Sequence, residues 1–414
     1  MTTASADAQS TAIGNARSRR RALAACGGAH ILHDGLANAL YVLFPIWQAA
    51  FGLSLAEIGL LKTLYSGALA GLQVPAGLLA ERRGERGLLV LGTALAGLGL
   101  VAAGWSQGFL SLALCLVLSG AGSSVQHPIG SSLIARAYER GGLRAALGTY
   151  NFAGDLGKVA LPALAAWLIA LVAWRATSVA LGAGALAAAL AALWALELRP
   201  QAPLAEEPAK TAEPEPEGAW TPSAKRGFVA LSAIGVIDSA TRSGFLVFLP
   251  FFLAAKGAAL PTVGLALSLV FAGGAAGKFV CGLIAGRLGI LRTVIITECA
   301  TTAGILALLP LSLSASLLLL PAIGIALNGT SSVLYGTVAE LAPAARRARA
   351  FGLFYTLGIG GSALSPSLYG LLSDSIGIPR TLAIVAFMVL LVVPLTLPLR
   401  RPLADVAGAK SSQK

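Results

Sequence analysis

The sequence GLLAERRGER at residues 77–86 follows a long apolar run, and GLIAGRLG at residues 282–289 repeats its frame. Gly77, Ala80, Arg82 and Gly84 answer Gly282, Ala285, Arg287 and Gly289. The register extends outward from there. Gly59 answers Gly264, while Gly148, Gly154, Gly157 and Pro162 answer Gly352, Gly358, Gly361 and Pro366 at a nearly constant offset. Asp34 with Pro45 answers Asp238 with Pro250 to within one residue. Glycines, an arginine and prolines held in step over such distances mark a duplicated unit. Paired apolar repeats of this size imply a secondary transporter.

Composition supports that reading. Of 414 residues, 12% are charged against about 25% in a soluble domain, 56% are hydrophobic, and mean hydropathy is +0.79. A soluble enzyme with one anchor helix is excluded, because apolar runs follow one another along the whole chain. A spanning helix needs roughly 20 apolar residues. The chain divides into twelve such stretches, at 22–50, 54–80, 87–104, 109–134, 144–172, 175–196, 226–254, 261–286, 293–310, 314–340, 348–373 and 380–399.

The net charge of +12 does not mark nucleic-acid binding, since the basic residues sit between apolar spans and not on one soluble face. They report orientation instead. With both ends inside, the outer loops hold only Arg175, Lys256 and Arg380, and the spans hold Lys62, Lys158, Arg242 and Lys278. The rest of the 30 Lys and Arg fall in cytoplasmic segments. Cys26, Cys115, Cys281 and Cys299 lie in apolar stretches without paired spacing, so neither a zinc site nor a disulfide framework is expected.

Residues 1–21 are expected to form a disordered cytoplasmic tail ending in Arg19, Arg20 and Arg21. The apolar run that follows is too long for a signal-peptide core and is read as a retained helix. Residues 22–196 and 226–399 make two six-helix bundles. The Pro- and Glu-rich stretch 197–225 is a cytoplasmic linker, and 400–414 a cytoplasmic tail.

In the 77–86 loop, Gly77 permits close helix packing and Gly84 a tight turn. Glu81 can cap a neighbouring helix or pair with a loop arginine such as Arg82 or Arg86, contacts that favour one conformer. The loop resembles the signature of the major facilitator superfamily, G-x-x-x-(acid)-(base)-x-G-(base)-(base), with Gly282, Arg287 and Gly289 as its second copy. Glu81 stands where Asp is usual and Glu85 where a base is usual. Within that superfamily the chain is similar to the fosmidomycin-resistance-type exporters. The similarity is carried by HILHD at 30–34, Gln73, Pro75 and Gly77, GSSVQHP at 122–128, Glu340 and Pro343, and FGLF at 351–354. The resemblance implies an all-α integral membrane fold of twelve helices in two pseudo-symmetric bundles, and proton-driven export of a drug or metabolite. Ile129, Asp155 and Lys158 depart from that group's pattern, so the substrate need not be the same.

Ionisable groups inside a membrane should pair, face a cavity, or both. Asp34 lies about 20 Å along the helix axis beyond Arg21, near mid-bilayer, and Asp238 lies at the matching depth. His30 and Asp34 share a helix face at i and i+4, as do Asp238 and Arg242; Asp155 and Lys158 stand at i and i+3. Asp34 is the first candidate for the coupling proton, with His30 or His33 as relay and Asp155 and Asp238 as further candidates; the alternative is a permanently ionised partner holding a helix contact. Lys158, Arg242 and Lys278 are candidate cations for a substrate carboxylate or phosphate. Gln126 and His127 precede the helix-kinking Pro128. Asn151, Tyr150, Tyr335 and Tyr355 complete the candidate polar groups. Glu298, about six residues past Arg292, is read as reaching the cytoplasmic loop.

Other chemistry is weakly supported. AGGAAGKF at 272–279 lacks the first Gly and final Ser or Thr of a phosphate loop, and no strand precedes it. Neither metal, cofactor nor enzyme activity is expected, since three ligands from one helix segment rarely close a site. The expected protein is a monomeric carrier in a bacterial-type inner membrane, whose partners are protons, a small organic solute and the lipid bilayer, with no nucleic acid. Its halves rock about a central site. Export by antiport is the first reading and symport or exchange of an organic anion the second. A non-transporting receptor on the same fold is a remote third.

Overall fold

The computed structural model of the protein describes residues 3–139, 141–196, 220–343 and 346–404. These are helical almost throughout, without a strand among the described residues. The helices are α1 (Thr3–Phe51), α2 (Leu55–Arg83), α3 (Glu85–Ala103), α4 (Phe109–Ser123), α5 (Gln126–Ala137), α6 (Leu143–Ala195), α7 (Pro222–Ala255), α8 (Leu260–Leu288), α9 (Ile290–Leu308), α10 (Leu313–Leu341), α11 (Arg347–Ile376), α12 (Ile378–Val389) and α13 (Val392–Leu395).

Eight helical stretches among the described residues are long and apolar enough to cross a membrane. α1, α2 and α11, richer in polar and ionisable residues, are not among them. Two breaks reconcile the elements with the apolar stretches read from sequence. α4 and α5 form one rod interrupted at Ser124 and Val125, where Pro128 removes a backbone donor and crowds the carbonyl four residues back. α6 is two rods joined at Val172 and Ala173, the latter at φ 63. Arg175 holds that corner by donating from Nη1 to the carbonyls of Gly104 and Ser106, at 2.9 and 2.8 Å.

α1 starts at Thr3, within the segment 1–21. Ala4, Ala6, Ala8, Ala12 and Ala16 favour helix, no proline intervenes, and extending an existing helix needs no new nucleus. Of the linker expected over 197–225, residues 197–219 lie outside the described residues. α7 begins at Pro222, capped by Thr221, whose Oγ1 accepts from the Ala224 amide at 3.1 Å. Helix continues through Ala404, and the remainder of the expected 400–414 tail lies outside the described residues.

Two units are defined by packing. The first takes the chain up to Leu40 and again from Gly67 to the end of α6; the second takes Tyr41–Ser66 with the C-terminal half. The partition therefore crosses the expected boundary, because the end of α1 and the start of α2 pack with α11. A Cβ on Gly59 would stand 2.1 Å from the Pro366 carbonyl oxygen, a contact only glycine allows. Ser54 and Glu57 form a reciprocal cap at the start of α2. Asp374 adds to it, accepting from the Leu55 amide at Oδ1 (2.9 Å) and the Ala56 amide at Oδ2 (2.8 Å).

Candidate functional site

In the first unit, α1 meets the first rod of α6 at Gly154 and Gly157. A Cβ on Gly154 would lie 2.6 Å from His30 Nε2 and 2.8 Å from Asp34 Oδ2, and one on Gly157 would lie 2.0 Å from the Ile31 carbonyl. The two glycines thus let the helices approach until side chains touch. Lys158 Nζ then stands 3.0 Å from Asp34 Oδ2 and 3.3 Å from Asp155 Oδ1. His30 Nε2 is 3.2 Å from Asp34 Oδ2, and His127 Nε2 is 3.8 Å from Asp34 Oδ1.

The proton on His30 is fixed by its partners. Its Nδ1 lies 2.9 Å from the Tyr150 carbonyl, which only accepts, so Nδ1 donates. A neutral ring would then turn its Nε2 lone pair toward the Asp34 carboxylate. The contact becomes attractive when a proton sits on Nε2 or on Asp34. Lys158 supplies one cation to Asp34 and Asp155 together, in an interior where an uncompensated charge is costly.

The other first-unit candidates divide. His33, one residue from Asp34, is rotated away: Nδ1 lies 3.2 Å from Ser123 Oγ and Nε2 3.0 Å from Thr93 Oγ1. Gln126 and Tyr150 are enclosed, with Gln126 Nε2 donating to Tyr150 Oη at 3.1 Å and Tyr150 Oη donating to the Gln126 carbonyl at 2.9 Å. They brace the site from behind. His127, 42% exposed, and Asn151, also exposed, remain open to a solute. His30, Asp34 and His127 place ligand atoms within 4.8 Å of one another, a spacing that suits a metal. Lys158 already supplies a cation to that carboxylate, and no metal is assigned to it.

In the second unit, Arg242 donates to Asp238 one turn earlier, and Asp238 is buried. Glu298 is not at a loop. It is 2% exposed, its Oε1 has no hydrogen-bond partner among the described residues, and it lies within electrostatic reach of Asp238 and Arg242. Depth along the axis suggested a loop contact for Glu298; the inward direction of α9 at that turn, marked by Thr297 and Thr301, was the signal that pointed elsewhere. Tyr335 and Tyr355 are partly exposed with ring centres 5.6 Å apart. Lys278 is exposed and not without a partner, so it is no enclosed lone cation. Lys62 is the enclosed one. It is 7% exposed, with Nζ 4.8 and 5.2 Å from the ring centres of Tyr41 and Tyr65, and pairs with no acid among the described residues.

In the 77–86 loop, Gly84 takes φ 90, and Glu81 and Arg82 are exposed without an ion pair between them. Glu85, where a base is usual, is buried. It accepts from Ser132 Oγ at 2.5 Å and pairs with Arg136 at 3.3 Å, tying the start of α3 to α5. In the second copy Gly289 takes φ 83 and Arg287 is exposed, while a Cβ on Gly77 or Gly282 would meet nothing.

Long apolar helices, duplicated in sequence and enclosing clustered ionisable groups, define a multi-pass membrane protein of the transporter class. A family model for the Major Facilitator Superfamily matches residues 27–320 and 231–413, and the chain belongs to that superfamily. It is 33% identical over 150 residues to the fosmidomycin resistance protein of Escherichia coli, a match spanning 36% of each chain, so it covers about a third of that curated relative. It is 27% identical to a probable 4-methylmuconolactone transporter of Cupriavidus pinatubonensis, over 82% of this chain and 80% of that one. Among solved structures it is similar to a bacterial homologue of the human lysosomal transporter Spinster, with a TM-score of 0.78 at 16% identity over 93% and 97% of the two chains, a likeness of fold.

Proposed function

We propose that this chain moves a small organic solute by alternating access, coupled to protons, and exports it by antiport across a bacterial-type cell membrane with both ends in the cytoplasm. The observation that carries the reading is the contact set of Asp34 with Lys158, His30 and His127. A proton shared between His30 and Asp34 makes their contact attractive, and its departure leaves Lys158 to hold the carboxylate. A carboxylate held by both a removable proton and a fixed cation suits proton coupling, and the partial match to a protein named for fosmidomycin resistance favours export. The excess of basic residues in alternate loops supports the orientation.

A second reading is symport or exchange of an organic anion. Lys62, enclosed by two tyrosine faces without an acid among the described residues, favours it, because a buried ammonium gains most from an incoming carboxylate or phosphate.

Proton flux in proteoliposomes with a pH-sensitive dye inside tests both, while organic anions and hydrophobic drugs are added outside in turn. An acid lumen on adding a drug is the antiport result; an alkaline lumen on adding an anion is the symport result. Asp34→Asn is expected to abolish the proton signal while solute exchange persists. Unchanged flux in that variant overturns the assignment of the proton to Asp34.

A further inference from the structure

The first turns of α7 and α11 leave between them a cleft of about 690 Å³. Its rim carries Lys225, Arg346 and Arg349, and among the described residues no carboxylate lines it. Phe228, Val229 and Leu353 form the apolar wall, and Trp220 closes one end with its ring centre 5.1 Å from that of Phe228.

The helix faces show which way the cleft opens. At about 100° per residue, Val229, Ala233 and Val236 of α7 fall within about 60° of one another. Asp238 and Arg242 fall on the opposite side of that helix. On α11, Leu353 and Leu357 begin a stripe continued by Leu364, Leu368 and Leu371, again within about 60°, and all five are exposed. Tyr355 lies across the helix from that stripe, beside Tyr335. A stripe of exposed leucines from Leu353 to Leu371, about five turns of a helix in a multi-pass membrane protein, is a face for hydrocarbon. The cleft therefore opens on the bilayer, away from the ionisable groups of the second unit, and its basic rim stands at the end of the helices that carries the arginine-rich loops.

We propose that this cleft binds an anionic phospholipid of the adjoining leaflet. The lipid phosphate meets Lys225, Arg346 and Arg349, whose guanidinium forks match phosphate oxygens, while the acyl chains run down the leucine stripe. Basic pockets between spanning helices recognise lipid head groups in this way. A soluble phosphate would satisfy the rim but leave the apolar wall and stripe uncovered. The site needs no particular transported solute, so its fate is separate from that of the proton assignment.

The test uses the full-length protein in neutral detergent, titrated with phosphatidylglycerol, phosphatidylcholine or glycerol phosphate, with bound lipid counted by native mass spectrometry. Wild type is expected to retain phosphatidylglycerol in preference to phosphatidylcholine. Each basic group near an anionic lipid contributes roughly fivefold in affinity. Joint Lys225→Ala, Arg346→Ala and Arg349→Ala is therefore expected to weaken retention on the order of a hundredfold. Val229→Trp, which keeps every cation but fills the cleft from a lipid-facing position, is expected to weaken it as well. Arg400→Ala with Arg401→Ala, basic positions at the same end outside the cleft, is expected to leave it unchanged. Equal retention of the two lipids, wild-type retention by the cleft variants, or glycerol phosphate competing as well as the lipid would overturn the proposal.

Discussion

At the residue scale, the first-unit site depends on an atom that is missing. Gly154 has no Cβ, and the space one would fill is taken by His30 Nε2 and Asp34 Oδ2. Gly154→Ala forces α1 and α6 apart or pushes His30 and Asp34 aside, and overpacking of this kind costs about 1–3 kcal/mol. Thermal unfolding in detergent is expected at lower temperature, and the proton signal in proteoliposomes is expected to fall because Lys158 no longer reaches Asp34. Gly148→Ala is the control, since a Cβ there meets nothing within 4 Å. If both variants unfold like wild type, the close approach is not what assembles the cluster. The pairing of His30 with Asp34 was legible from their i and i+4 spacing. The pairing of Asp34 with Lys158 was not, because local spacing shows only Asp155 as the partner of Lys158, and the second contact exists only after two glycines bring distant helices together. His33 misled for the opposite reason: neighbours in sequence are about 100° apart on a helix, so adjacency to Asp34 placed its ring elsewhere.

At the element scale, the apolar stretches and their interruptions could be read because hydrophobic length and proline act locally. Pro128 accounts for the break between α4 and α5, and Thr221 with Pro222 for the start of α7. The start of α2 shows what local reading leaves out. Ser54 and Glu57 are a visible capping box that serves their own two amides, but Asp374 takes the amides of Leu55 and Ala56 between them from more than three hundred residues away. Four acceptor oxygens therefore serve this helix start, and two of them belong to one exposed carboxylate. Loss of a capping side chain costs about 1 kcal/mol. Asp374→Ala is expected to speed amide hydrogen exchange at Leu55 and Ala56, and Asp374→Asn, which keeps one acceptor oxygen, to speed it less. Exchange as slow as wild type in Asp374→Ala would mean that Ser54 and Glu57 cap the helix unaided.

At the scale of the molecule, the repeat in sequence and the units in space do not coincide. The repeat divides the chain at 197–225, whereas packing assigns Tyr41–Ser66 to the unit built from the C-terminal half. Sequence periodicity records how the chain was duplicated, not which faces later meet, and glycine contacts such as Gly59 on Pro366 carry no local signature. The consequence is measurable. The second unit is incomplete without a segment that the N-terminal half supplies, held by Gly59 against α11, by Thr63 Oγ1 donating to the Ala363 carbonyl at 2.6 Å, and by Asp374 on the α2 amides. A site-specific protease cut introduced within residues 197–219 is therefore expected to leave two fragments that co-elute in detergent. Adding Gly59→Trp to the cut chain, which no longer fits against the Pro366 carbonyl, is expected to let them separate, while the same substitution in uncut chain leaves a single species. Separation of the fragments after the cut alone would show that these contacts are too weak to hold the segment, and that the covalent linker keeps Tyr41–Ser66 in place.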